Sequence, residues 1–299
     1  MALKKITLRD KKIFDKYLGV NRHDLAVYCF SSIYIWKGLF EICWEILDGC
    51  LCVFFKDSTG CFLYLAPQGK SIDAGVIARA FRIMDSFNRN PDISRIENIE
   101  EKDTAFYRGL GYAVREKSGD YLCQRAGLVN LKGNQFKSKR ACVNYFLKNY
   151  SFECAPLSPK DRKECLNLYS RWMRGRKDRN QDKIYRGMLE DSRVSLENAL
   201  KGYAKLDFIG RVVKIENGIR AFTVGYPLNA KVFCILYEIA DLSVKGLAQF
   251  IFQEFCREMK EYRYVNIMDD SGLENLKKVK LSYHPLRIIP AYIATRKNA

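Results

Sequence analysis

The chain has 299 residues, 48% hydrophobic and 13% aromatic, which is enough for a real core and excludes general disorder. Its net charge is +17, from 51 Lys+Arg against 34 Asp+Glu, and no apolar run reaches the length of a membrane helix. The longest candidate, residues 25–44, is interrupted by Ser31, Ser32, Lys37, Gly38 and Glu41.

Residues 1–16 lack an apolar core and a small-residue cleavage site, so no signal peptide is expected. Residues 10–18 form a short helix pattern, and 25–39 are aromatic and apolar with strand-like pieces. Strands are expected at 42–47, 50–56 and 61–66, with turns at Asp48-Gly49 and Ser58-Thr59-Gly60. Val76, Ile77, Ala80, Phe81 and Met84 recur at helical spacing. A strand at 93–99, a helix at 101–110 and strands at 112–115 and 121–124 complete a first unit, assigned to residues 1–130. The phrase AFYRGLGY at 105–112 resembles the helix-to-strand phrase A-x-x-F-Y-x-x-L-G-F of the GCN5-related acetyltransferase (GNAT) fold. Gly111 permits the left-handed helix exit, and Tyr107 reads as core.

The second unit, 131–299, opens with a basic helix continuing through Val143, Phe146 and Leu147. Pro156 and Pro159 punctuate, a helix covers 161–173, and the cation-dense run 171–179 reads as a solvated helix end or loop. A helix at 189–203 precedes a hairpin of 211–216 and 219–225 around Asn217-Gly218, a pair suited to a tight turn with two positive φ angles. A strand at 231–240, a long helix at 242–260 and a strand at 264–267 follow. Both halves thus run helices, antiparallel strands, long helix, strand, helix, an order compatible with duplication.

Eleven cysteines lie mostly in apolar runs, and the one tight pair, Cys50 and Cys52, lacks a zinc spacing. Reduced, buried thiols of a cytoplasmic protein and no metal are the expectation. Charge is uneven. Residues 131–186 carry 15 Lys+Arg against 5 Asp+Glu, net +10, and residues 275–299 carry 6 against none, net +6. Two such blocks suit a polyanionic partner if they converge, and a solubilising surface if they do not.

The densest chemistry lies between 264 and 290. A strand pattern runs into Asp269 and Asp270, a Ser-Gly turn follows, and then an amphipathic run carries Lys277, Lys278 and Lys280. Tyr283, His284, Pro285 and Arg287 come next. Strand, acidic turn and basic helix in succession build sites at strand carboxyl ends. Asp269 and Asp270 can hold an ammonium or take a proton, or can simply cap a turn. Glu238 lies on a central strand pattern, where a charge needs a partner or a task. His284 can titrate near neutrality or serve packing alone. Lys137, Lys139 and Arg140 at a helix start can bind phosphate, with Lys277, Lys280 and Arg287 as a second wall.

Three phrases together resemble one family: LKGNQFKSKR at 131–140, YEIAD at 237–241, and NIMDDSGLENLKKVKLSYHP at 266–285. They are similar to the C-terminal catalytic domain of bacterial phosphatidylglycerol lysyltransferases and its soluble relatives. The resemblance implies an α/β (α+β) fold of tandem GNAT-like domains with mixed, largely antiparallel sheets. It also implies transfer of an aminoacyl group from a charged tRNA, in that family to a lipid hydroxyl. Ile267-Met268 stand where family members commonly have Arg-Glu, and Lys277 stands where they have arginine. Lysine lacks the planar two-point grip of arginine.

The expected function is therefore a soluble aminoacyl or acyl transferase with no bound cofactor. Its donor would be aminoacyl-tRNA or acyl-CoA, with an amine or hydroxyl acceptor. The alternative is a non-catalytic module that binds RNA or another polyanion. The glycine-rich pyrophosphate turn of CoA-dependent enzymes is poorly matched, since residues 240–248 offer only Gly246. The basic segments 132–148 and 275–296 are expected to share a cleft floored by Asp269, Asp270 and Glu238.

Overall fold

The computed structural model describes residues 3–297. In chain order the first elements are β1 (Lys4–Lys5), α1 (Lys11–Leu18), α2 (Phe30–Tyr34), β2 (Glu41–Leu47), β3 (Cys50–Lys56) and β4 (Cys61–Leu63). Then come α3 (Ala74–Phe87), β5 (Arg95–Glu100), α4 (Thr104–Gly109), β6 (Ala113–Gln124), α5 (Arg125–Asn130), α6 (Lys137–Asn149) and β7 (Glu153–Pro156). α7 (Arg162–Arg179), α8 (Lys183–Gly202), β8 (Ile209–Ile215), β9 (Gly218–Asn229) and β10 (Val232–Ala240) follow. The last are α9 (Leu247–Glu258), β11 (Tyr264–Asn266), α10 (Glu274–Leu281) and β12 (Arg287–Thr295).

The chain divides into two compact units, one of residues 1–120 and 289–299, the other of residues 121–288. This differs from the expected break at 130/131, because the end of β6 pairs with β11 of the second unit and the last strand pairs with β5 of the first. In the first unit β1, β2, β3 and β4 are antiparallel neighbours, β4 to β5 is a parallel step, and β12 closes antiparallel on β5. The second unit repeats this pattern. β7, β8, β9 and β10 are antiparallel neighbours, β10 to β11 is a parallel step, and the end of β6 closes antiparallel on β11. Each parallel step crosses over through a helix, α3 or α9, as parallel pairing requires.

These crossover helices follow from their sequences. Asp73 caps α3 by accepting from the Val76 N–H at 2.9 Å, and Val76, Ile77, Ala80, Phe81 and Met84 are buried on one face. In α9 the buried set is Leu247, Phe250, Ile251, Phe252, Phe255 and Cys256. It packs on Phe233, Ile235 and Val265 of the second sheet, with Val143 and Phe146 of α6 beside it.

Three local expectations change, at residues 30–34, in β6 and at the β8–β9 turn. Residues 30–34 are helical, because Phe30 packs edge-on against Phe14 of α1 at 5.2 Å and tertiary contact overrides a strand-like composition. β6 is one strand, not two, its exposed half being polar and without alternation. The cation-dense run 171–179 takes the first of its two expected forms, a helix end, that of α7. In the β8–β9 hairpin, Ile215 faces Gly218, and the two positive φ angles fall on Glu216 (52°) and Asn217 (62°). Gly218 is therefore the first residue of β9.

Candidate active site

The second unit builds its site where two strands part. β10 pairs with β11 only from Val232 to Cys234, against Tyr264 to Asn266, and then runs on to Ala240. A bulge precedes the functional residue. Against β9, Ile235 faces Gly225 but Tyr237 faces Val224, so Leu236 is the extra residue. In a regular strand Ile235 and Tyr237 would share a face. Here Ile235 packs toward α9, whereas the Tyr237 hydroxyl turns to α8, 2.5 Å from Ser195 Oγ. Glu238 and Ala240 are thereby turned to the α6 and α9 side, where Ala240 meets Phe146 and Phe250.

Three side chains gather around Glu238. Lys139, from the first turn of α6, lies over the Tyr283 ring with Nζ 4.1 Å from its centroid. That ring packs on Phe252 at 4.3 Å. Lys280 of α10 is buried and donates to the backbone carbonyls of Ile267 and Met268. Burial pushes the Glu238 carboxyl up to about 7, with the charge of Lys139, and then of Lys280, pulling the other way. Taken as a whole residue, Glu238 keeps partial solvent exposure. Burial also lowers Lys139, opposed by the Glu238 charge. The Tyr283 hydroxyl is held well above its ordinary value by burial and by Glu238.

The loop after β11 shapes the other wall. Asn266 Oδ1 accepts from the Met268 N–H at 2.8 Å, and Met268 takes a left-handed φ of 63°. Asp270 Oδ1 accepts from the Gly272 N–H at 2.9 Å, and its Oδ2 accepts from the Tyr121 hydroxyl at 2.5 Å. Burial and that bond push Tyr121 up to about 12. Asp270 is thus a turn-former locked to β6, while Asp269 beside it is partly exposed.

The remaining sequence candidates are placed elsewhere. His284 is exposed with φ 50°, its ring edge-on to Phe136 at 5.2 Å and its Nε2 3.4 Å from the Gln135 carbonyl. It ties the 282–285 turn to the approach to α6. Arg140 spends its guanidinium on the carbonyls of Leu131 and Gly133, which fixes that loop. Lys137 and Arg287 are exposed, and Lys277 faces Glu274 at 3.8 Å on its own helix. Among the described residues, the two basic blocks come together where Lys139 meets Tyr283 and His284 meets Phe136 and Gln135, with Lys139 and Lys280 both acting on Glu238, and not along their whole lengths. Residues 289–296 belong to the first unit, where Arg296 pairs with Asp85 at 2.6 Å.

Sequence reasoning missed Tyr121, which lies 149 residues from Asp270. It also left Asn266, the buried hinge of the loop, out of the site. A groove of 370 Å³ between α6, β7 and α9 lies apart from Glu238, and its charged lining is already paired, Glu254 with Arg257 and Glu258 with Arg211. In the first unit the matching gap is filled: Asn98 Nδ2 donates to the Tyr64 carbonyl at 2.7 Å, and the Tyr28 hydroxyl donates to the Asn98 carbonyl at 2.7 Å.

A family profile described as phosphatidylglycerol lysyltransferase, C-terminal, matches residues 22–295. The chain belongs to this family. No curated protein matches it in sequence. A conserved protein of unknown function from Bacteroides thetaiotaomicron is 26% identical, with a TM-score of 0.88 over 99% of this chain and 100% of its own. L-PGS from Bacillus licheniformis is 17% identical, with a TM-score of 0.68 over 100% of this chain and 95% of its own. A tandem GNAT protein from the clavulanic acid biosynthesis pathway is 8% identical, with a TM-score of 0.56 over 100% and 99%. The fold of this phosphatidylglycerol lysyltransferase family member is accordingly a tandem GNAT-like one. Among the described residues, no helix is long and apolar enough to cross a membrane, and no group of three or more His, Cys, Asp or Glu could hold a metal.

Proposed function

We propose that the protein transfers an aminoacyl group from a charged tRNA to an amine or hydroxyl acceptor, with Glu238 as general base. One observation carries this reading: a carboxyl that burial pushes to about 7, between Lys139 and Lys280, on the part of β10 that runs on past its pairing with β11. A base of that strength suits proton removal from a neutral amine or a hydroxyl as it attacks at neutral pH.

The acceptor gives its proton to Glu238 as its lone pair attacks the ester carbonyl carbon. The tetrahedral intermediate then collapses, the bond to the ribose oxygen breaks, and Glu238 returns the proton to that oxygen. Lys139 and Lys280 place positive charge beside the developing oxyanion and the donor's terminal phosphate. Asp269 is the group available for the ammonium of the transferred residue.

An RNA-borne donor is favoured over acyl-CoA by the start of α9. A Cβ on Gly246 would lie 2.1 Å from the Cys142 carbonyl oxygen, and Leu247 is fully buried. That glycine serves packing on α6, not close approach of a pyrophosphate.

The test is incubation with a panel of charged tRNAs and with amine, hydroxyl and lipid acceptors, following loss of the aminoacyl bond. Acyl-CoA thioesters run in parallel. Acceptor-dependent loss from a charged tRNA is the expected result. Thioester consumption alone would assign a CoA donor, and RNA binding without any transfer would assign a binding module.

A further inference from the structure

The cation-dense run left unexplained by the site lies at the tip of a helical hairpin. α7 and α8 are tied together by Tyr169, whose hydroxyl donates to the Leu189 carbonyl at 2.9 Å, and by Arg186, which donates to the Lys177 carbonyl at 3.1 Å. Residues 171–186 hold seven Lys or Arg against two Asp. One of the two, Asp182, is occupied as the α8 cap, accepting from the Tyr185 N–H at 2.7 Å. Lys177 pairs with Glu190, but Arg171, Arg174, Arg179 and Lys183 are exposed and make no ion pair among the described residues. A solvating surface mixes signs evenly, whereas here seven cations stand against Asp178 and the capping Asp182.

A second observation is independent of charge. Gly175 and Gly187 are exposed within the two helices, and an added Cβ at either would meet nothing within 4 Å. Neither glycine has a packing reason, although each weakens its helix relative to alanine. A bare backbone between Arg174 and Arg176 lets a partner come close. Arg176 also lies over the Trp172 ring at 5.1 Å, a partly exposed stacking platform.

We propose that the α7–α8 tip is a docking surface for the phosphodiester backbone of an RNA. Five of its seven cations are arginine, whose planar fork suits phosphate. Only Ile184 is a large exposed apolar side chain there, too little for insertion into a bilayer. The hairpin packs on the sheet face that receives Tyr237, opposite the face of Glu238. That suits a large donor whose body is held apart from its reacting end. The inference rests on the reading of a tRNA-borne donor and names the surface that holds it.

The experiment is binding of deacylated bulk tRNA across a salt series by four forms of the full chain. These are wild type, R171E/R174E/R179E, a control K12E/K16E/R82E of equal charge change, and G175L. Circular dichroism confirms that each is folded, and vesicles of anionic lipid serve as the competing ligand. The hairpin triple should weaken tRNA binding about tenfold or more and lower the log–log salt slope by about 2–3. The control triple should bind like wild type, and G175L should weaken binding with its charge unchanged. Equal loss in both triples, unchanged binding by the hairpin triple, or hairpin-dependent binding to vesicles but not tRNA would overturn the proposal. A wild type that binds tRNA through the tip yet transfers nothing would overturn the transfer reading and leave this surface standing.

Discussion

Lys139 of α6 lies over the ring of Tyr283, Nζ 4.1 Å from the centroid, and joins segments far apart in sequence beside Glu238. The contact does two things. It covers apolar ring surface with the lysine stem, and it leaves a positive charge near a carboxylate that burial would otherwise keep protonated.

The first prediction follows from that charge. Glu238 must be ionised to accept a proton, so transfer should rise with pH through about 7. Lys139 and Lys280 both hold that value down. K139M or K280M should move the midpoint of the pH–rate profile upward by about one pH unit. A merely structural role would lower the rate without moving the midpoint.

The same residue should cost stability. Glu238 binds its proton more tightly when folded than at its ordinary value of 4.5, so stability falls as pH rises from about 4.5 through about 7. E238Q should therefore be more stable than wild type at pH 8, by on the order of 1–3 kcal/mol, and nearly equal at pH 4. Thermal melts at the two pH values check this.

Glutamate 100 gives the opposite sign. Burial raises its carboxyl, but the His23 ring 2.9 Å away, Lys102 and the Asp24 N–H outweigh that and hold it near 2. Its stabilisation is present above about 4.5 and is lost as pH falls toward 2. E100Q should destabilise by about 2–3 kcal/mol at pH 7, with the difference vanishing in acid. Urea melts across pH would show it.

Gly246 tests the packing of α6 on α9. Its φ of 85° and the Cys142 oxygen 2.1 Å from a built Cβ leave no room for a side chain. G246A should cost about 2–3 kcal/mol in urea denaturation. A neutral result would return that glycine to the list of phosphate-binding candidates.

Much of the fold was legible because it rests on periodicity. The faces of α3 and α9 and the hairpin of β8 and β9 follow from spacing. The closing strands were not legible as such, since nothing in residues 287–295 says that they pair with β5. Within the site, the phrase 266–285 pointed to the right loop and to Lys280. It could not separate Asp269, partly exposed, from Asp270, bonded to Tyr121. Nor could the phrase 131–140 separate Lys139 from Arg140, because one residue of helix rotation decides which reaches Tyr283 and which reaches the Leu131 carbonyl. The bulge at Leu236, which aims Glu238, leaves no mark in the run VFCILYEIA.

The most direct measurement is the single-turnover rate of acceptor-dependent aminoacyl release from charged tRNA by wild type and by E238Q at pH 8. Removing a general base should slow release by about 10²–10⁴-fold while tRNA binding is unchanged. Equal rates for the two proteins, or no acceptor-dependent release by the wild type, would contradict a transferase centred on Glu238.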